Sequence, residues 1–352
     1  MATWICNAFF TAAISVCLLG SCTLAQEPAA EENQSQEQIP QPAAELTVAE
    51  VRSLLDSIDP YRPTSEVTGE LDIFGSTSMD VMAHGWGTGF KAFHPQIKVV
   101  ISAEGSETVL ARLTKNPKGM GMLSRPVTAG DLDQLKAGGM KQPVAIQVAR
   151  DALGVFVNQD NPMDEISYSQ LVALFCTEDS ERKVTWGVVG IEGSNSSQPV
   201  HLIGRGDNSG TQRFLERHLF HENKIRKLSE VADSNAAVVQ AIGKDPLAIG
   251  IADFKMAAPH VKRLKLRDQG RVFAGNEREI LLGHYPITRP LTLVFDLGAD
   301  GETAIANREF ARYALGQAGQ ASAILAGFFP FDPPTLRSQF EKLADEENVE
   351  HR

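Results

Sequence analysis

With 352 residues, 43% of them hydrophobic and 22% charged, the chain has the make-up of an ordinary soluble globular protein and room for two domains. Its formal net charge of -11 argues against a nucleic-acid binder, which carries a basic patch or stripe. The same charge leaves an anion ligand open, because a buried ion responds to nearby donors more than to distant surface charge.

The run from Ile5 to Ala25 is apolar, short and closed by small residues, which reads as a secretory signal peptide over residues 1–25, although no Lys or Arg precedes it. Leu19-Gly20-Ser21-Cys22 resembles a bacterial lipobox, in which Cys22 becomes the lipidated first residue of the mature chain. Cleavage after Ala25 and an uncleaved anchor of about 20 apolar residues stay open beside it. Three of the four cysteines (Cys6, Cys17 and Cys22) fall here, so Cys176 is alone in the body and no internal disulfide is expected. Its neighbours Ala173, Leu174 and Phe175 point to a buried thiol.

Residues 26–45 are rich in Glu, Gln, Pro and Ala. With few apolar side chains to offset ordering entropy, they are expected to form a disordered linker. Residues 46–70 hold a short helix and a connector. Thr47-Val48-Ala49-Glu50 is a capping-box pattern, Val51, Leu54 and Leu55 share one side, and Pro60 and Pro63 end the helix. The body, from Leu71 to Phe331, alternates short apolar runs with helical patterns, which predicts an α/β fold. Strands are expected at Leu71–Phe74, Lys98–Ser102, Gly119–Leu123, Gln147–Val157, His201–Gly204, Ala248–Ile251 and Pro290–Phe295. After the first of these, Met79, Met82, Trp86, Phe90 and Phe93 recur at helical spacing and predict one apolar face. Gly85, Gly87 and Gly89 within that helix suggest a close neighbour. Ser167-Tyr168-Ser169-Gln170 is a second capping box, and residues 332–352 read as an acidic helical tail.

Three times a predicted strand ends in a Gly/Ser/Thr cluster just before a helix: at Gly75-Ser76-Thr77, at Gly105-Ser106-Glu107, and at Arg205-Gly206-Asp207-Asn208-Ser209-Gly210-Thr211. A helix start leaves backbone N–H groups unpaired and partly positive, while hydroxyls add rotatable donors. Any one cluster taken alone reads better as an ordinary N-cap. Three together, one opening with Arg, favour an oxyanion site, since a guanidinium matches two oxygens of one anion.

On these residues the chain resembles the substrate-binding proteins of phosphate ABC transporters (PstS-like) within the type II periplasmic-binding-protein superfamily. Arg205-Gly-Asp-Asn-Ser209-Gly210-Thr211 is similar to that family's Arg-x-x-x-Ser-Gly-Thr motif, and Gly121-Met-Leu-Ser124-Arg125-Pro126 to its strand-end pattern. Weaker likenesses include Thr185-Trp186-Gly187 and Tyr285-Pro286-Ile287-Thr288-Arg289-Pro290-Leu291. The resemblance implies two α/β lobes on a two-strand hinge, with lobe 1 at 71–151 and 254–331 and lobe 2 at 152–253. It implies ligand donors at Ser76, Thr77, Ser106, Ser124, Arg205, Ser209, Gly210 and Thr211, with Asp207 orienting Arg205. Two departures stand out. Glu107 places a carboxylate in the second cluster, and Arg125 occupies the position where some phosphate binders carry the Asp that accepts the ligand's proton. Glu107 is either a substitute acceptor or a first-turn acid facing solvent.

The function implied is capture of inorganic phosphate, or a related oxyanion, by a monomeric exported protein that passes it to a membrane ABC permease. It needs no cofactor, metal or nucleic acid, and membrane contact comes only through a lipid at Cys22. A sensing or scaffold protein of the same fold is the alternative, and a phosphate-ester hydrolase the third option. His218 and His221 lack the further ligands of a metal site, and Trp86 and Trp186 read as packing residues.

Overall fold

A computed structural model of the chain describes residues 47–344, apart from residues 180, 181 and 222. The expected signal peptide, Cys22, the 26–45 linker and residues 345–352 lie outside the described residues. The first helix, Val48–Asp56, makes both bonds of the Thr47/Glu50 capping box.

Strands β1 (Gly69–Gly75), β2 (Ile97–Ser102) and β3 (Met120–Leu123) run parallel in the order β2-β1-β3. Strand β4 (Pro143–Asn158) is 16 residues long. The second lobe adds β5 (Glu165–Ser167), β6 (His201–Arg205), β7 (Glu230–Ala232) and β8 (Ala248–Asp253). It continues through β9 (Val261–Asp268) and β10 (Arg271–Phe273), before β11 (Thr288–Asp296) re-enters the first lobe. The first part of β4, Pro143 to Ala152, pairs antiparallel with β11, which also pairs with β3. The remainder of β4 pairs with β8 and β9. Side chains alternate across these strands. In β1, Leu71 and Ile73 enter a core with Trp86 and Phe310, while Phe74 packs on the other face with Val109 and Val294. In β4, Val155 joins Leu174 and Trp186, while Phe156 turns to Val238 and Ile242.

This is the two-lobe α/β fold expected, on a two-strand hinge of β4 and β11. There the Leu153 N–H donates to the Ile287 carbonyl at 2.9 Å. One boundary differs. The return to lobe 1, expected at residue 254, comes at about residue 288. The cause is β9, which pairs with β4 and β5 and carries Leu264 and Leu266 into the second core beside Phe273, Ile280 and Tyr285.

The long helix runs Asp80–Phe93 behind one tight turn at Thr77–Met79. Met79, Met82, Trp86 and Phe90 are fully buried. Phe93 instead lies 44% exposed at the helix end, edge-on to Tyr61. A Cβ at Gly89 would come within 1.9 Å of the Tyr313 hydroxyl, so that glycine marks a close approach. The helix Pro333–Glu341 is less tail-like than expected. Leu336 and Leu343 enter the first core, and the Gln147 N–H donates to Gln339 Oε1. Cys176 is a buried free thiol, and burial pushes its pKa up to about 11. No described helix is long and apolar enough to cross a membrane.

Candidate oxyanion site between the lobes

Each expected cluster sits where a strand ends and a helix begins. β1 delivers Ser76 and Thr77, β2 delivers Ser106, β3 delivers Ser124 and Arg125, and β6 delivers Arg205 ahead of the helix Gly210–Phe214. The second and third clusters meet across the seam between the lobes. Gly105, at φ +107°, is in the left-handed region that suits glycine, and a Cβ there would lie 2.5 Å from the Asn208 carbonyl oxygen. A Cβ on Gly210 would lie 2.4 Å from Ser124 Oγ and 2.5 Å from Ser106 Oγ, which are themselves 3.2 Å apart. Ser76, Ser106, Ser124, Arg205, Ser209 and Thr211 are all buried.

Arg205 Nη2 donates to Thr77 Oγ1 at 3.2 Å, while its Nε donates to the Ala232 carbonyl at 3.1 Å. Burial, above all, pulls its pKa below the ordinary arginine value, and Asp253 is the first charge opposing that pull. Ser76 Oγ is buried with no hydrogen-bond partner among the described residues. A buried hydroxyl left unpaired is costly, so it is a natural donor to a ligand. Ser209 Oγ instead accepts the Thr211 N–H at 3.1 Å and caps its helix.

The roles expected for the flanking charges change. Asp207 is exposed and makes no hydrogen bond or ion pair with Arg205, because the Ala232 carbonyl and the Thr77 hydroxyl hold that guanidinium instead. Arg125 is 2% exposed and bonds to Asp131 Oδ2 at 2.8 Å and to Glu107 Oε1 at 2.9 Å. Burial pulls Arg125 down, but the bonds to Asp131 and Glu107 outweigh it and leave its pKa raised. Glu107 therefore neither faces solvent freely nor offers an unengaged carboxylate. Its other oxygen lies 3.8 Å from Arg213 Nε, across the seam.

The expected donor set also leaves out a second buried cation. Arg289, on β11, is 1% exposed. It donates through Nε and Nη2 to Asp151 Oδ2 at 2.9 and 2.6 Å, and through Nη2 to Asp253 Oδ1 at 2.9 Å. Its Nη1 reaches Thr211 Oγ1 at 2.9 Å, and Nη2 also reaches Ser78 Oγ at 3.3 Å. Ser78 Oγ accepts a further bond from Asn235 Nδ2 of the second lobe at 3.3 Å. Burial first, then the neighbouring Asp253 carboxylate, pushes Asp151 well above the usual carboxylate range against the pull of Arg289. Only the Thr-Arg-Pro stretch around Arg289 hinted at it in sequence. Among the described residues, no group of three or more His, Cys, Asp or Glu is arranged to hold a metal. Exposed His218 stacks on Phe214.

The arrangement brings two guanidinium groups and several hydroxyls to one buried seam, the chemistry that replaces the hydration shell of an oxyanion. The PBP superfamily domain matches residues 60–318. The phosphate-binding protein PstS of Pseudomonas aeruginosa is 27% identical over 302 residues, covering 83% of this chain and 93% of that protein. Protein SphX of Synechococcus elongatus is 24% identical over 286 residues, covering 80% of this chain and 83% of the relative. In structure, the chain is similar to an ABC-type phosphate transport receptor from Vibrio cholerae, with a TM-score of 0.60 at 20% identity, over 74% of this chain and 100% of that one.

Proposed function

The chain belongs to the PBP superfamily, and from that premise we propose that it captures inorganic phosphate between its lobes and passes it to a membrane ABC transporter. The observation that carries this reading is the half-buried pairing of Arg205 with Thr77 across the seam, beside buried hydroxyls contributed by both lobes. The likeness to a protein named for phosphate binding runs over most of both chains. Ser76, Thr77, Ser106, Ser124, Gly210 and Thr211 supply hydroxyl and N–H donors, Arg205 supplies the charge, and hinge motion of β4 and β11 admits and encloses the anion. Ser209 acts through the cap it gives that helix. The protein binds without turnover, as an exported monomer tethered by lipid at Cys22.

Equilibrium dialysis of the anion-stripped chain against labelled phosphate tests the binding. One saturable site per chain is expected, and no retention at millimolar phosphate contradicts it. Steady release of a chromophore from a phosphate ester by the purified chain contradicts the assignment as a binder alone.

A further inference from the structure

With a net charge of -11, the chain has carboxylates to spare, and arginines near its surface find them. Arg112 pairs with Asp72, Arg213 with Glu216 and Arg278 with Glu50. Arg62 of the connector, Arg312 of the helix Glu302–Leu315 and Arg337 of the helix Pro333–Glu341 differ, and all three line one cavity of about 570 Å³ on the first lobe. Among the described residues, the side chains of Arg62 and Arg337 make no hydrogen bond or ion pair. Arg312 Nε is buried without a hydrogen-bond partner, 3.6 Å from Glu309 Oε1. A buried donor left unpaired is costly. None of the seam residues lines this cavity.

The cavity is backed by a buried polar network. Glu309, 1% exposed, accepts the Tyr61 hydroxyl at 2.5 Å and a bond from the Thr64 hydroxyl, and the Tyr61 oxygen lies 2.7 Å from His94 Nε2. Such a network holds Tyr61 in place and keeps a fixed charge beside Arg312.

The lining sorts possible ligands. A carboxylate or a phosphodiester offers two free oxygens, whereas a phosphate monoester offers three, one for each guanidinium. Exposed Asp59 and Glu341 also line the cavity. They pair with none of the three arginines and are acceptors suited to ligand hydroxyls. Tyr61 and Phe340 add apolar wall, and the volume suits a small organic molecule.

We propose that this cavity is a second ligand site, which takes a hydroxylated phosphate monoester of the sugar phosphate class with its phosphoryl group among Arg62, Arg312 and Arg337. The site lies apart from the seam and does not depend on the phosphate reading above.

The test is calorimetric titration of the full chain with glucose 6-phosphate, once bare and once loaded with inorganic phosphate and freed of the excess. One saturable site is expected on the loaded chain, with glucose and the diester glycerophosphocholine at least ~10-fold weaker. Arg312→Gln and Arg337→Gln should each weaken it at least ~10-fold by removing charge-assisted bonds. Arg337 is exposed and unpaired, so its variant should melt with wild type and serves alone if Arg312→Gln does not fold. No saturable binding at millimolar glucose 6-phosphate overturns the proposal. So does equal binding of the diester, binding lost on loading with inorganic phosphate, or binding that both arginine variants leave unchanged. A chain that cannot be loaded with phosphate sinks only the phosphate reading, because the bare-chain titration and the arginine variants still decide this site.

Discussion

Arg205 of the second lobe and Thr77 of the first are joined by a hydrogen bond of 3.2 Å from Nη2 to Oγ1. The cation proposed to carry the charge of the site is thus bonded to the opposite lobe. Arg205→Ala is expected to weaken phosphate binding by at least ~2 kcal/mol, about 30-fold, by removing charge-assisted bonds. The melting temperature should stay within a few degrees of wild type. Titration and a thermal melt of the same preparation check both halves.

Gly210 presses on Ser106 and Ser124 from the other lobe. Gly210→Ala would put a methyl where two hydroxyl oxygens already sit, so the lobes cannot approach as closely. Phosphate affinity should fall at least ~10-fold, as expected for an overpacked contact. Small-angle scattering with saturating phosphate should show the variant remaining more extended than wild type.

The Arg289 pairing makes a prediction about stability. Arg289→Met leaves Asp151 and Asp253 buried without their cation, a loss of about 3–5 kcal/mol. That corresponds to a fall in melting temperature of roughly 10 °C for a chain of this size.

Asp151 adds a pH dependence. Its folded-state pKa is raised above the ordinary carboxylate value, by burial first and then by Asp253. The folded chain therefore binds this proton more tightly than the unfolded one. That stabilisation is complete below about pH 4 and is lost as the pH rises toward the raised value. Asp151→Asn should melt furthest below wild type in acid, with the gap narrowing toward neutral pH. A gap that widens with pH contradicts the assignment.

Export is checked by mass. If Cys22 is the lipidated residue, the native protein carries two or three acyl chains on it and partitions into detergent, and Cys22→Ala releases it. An unmodified mature N-terminus at Gln26 refutes lipidation.

What was legible in the sequence was local. Strand-end Gly/Ser/Thr clusters and the capping boxes at Thr47/Glu50 and Ser167/Gln170 involve residues a few positions apart, and they formed as read. The crossing between lobes was expected from the family resemblance and not from any local pattern in β4. The Arg289 cluster was not legible, because its partners Ser78, Asp151, Thr211 and Asp253 come from distant parts of the chain and meet only in the folded hinge. Strand β9 escaped notice because Leu264 and Leu266 alternate with Arg and Lys, so its average polarity resembles a loop. Asp207 was misassigned for a related reason. Nearness to Arg205 in sequence carried no information about which group faces the guanidinium once Ala232 and Thr77 pack against it.

The most direct test of the account is a crystal structure of the anion-stripped chain after transfer into phosphate. The account predicts one tetrahedral anion at the seam, within hydrogen-bond distance of Arg205 and of hydroxyls from both lobes, Ser76 and Ser106 among them. Saturating phosphate that leaves this seam without an anion, or an ion bound only elsewhere on the chain, would contradict it.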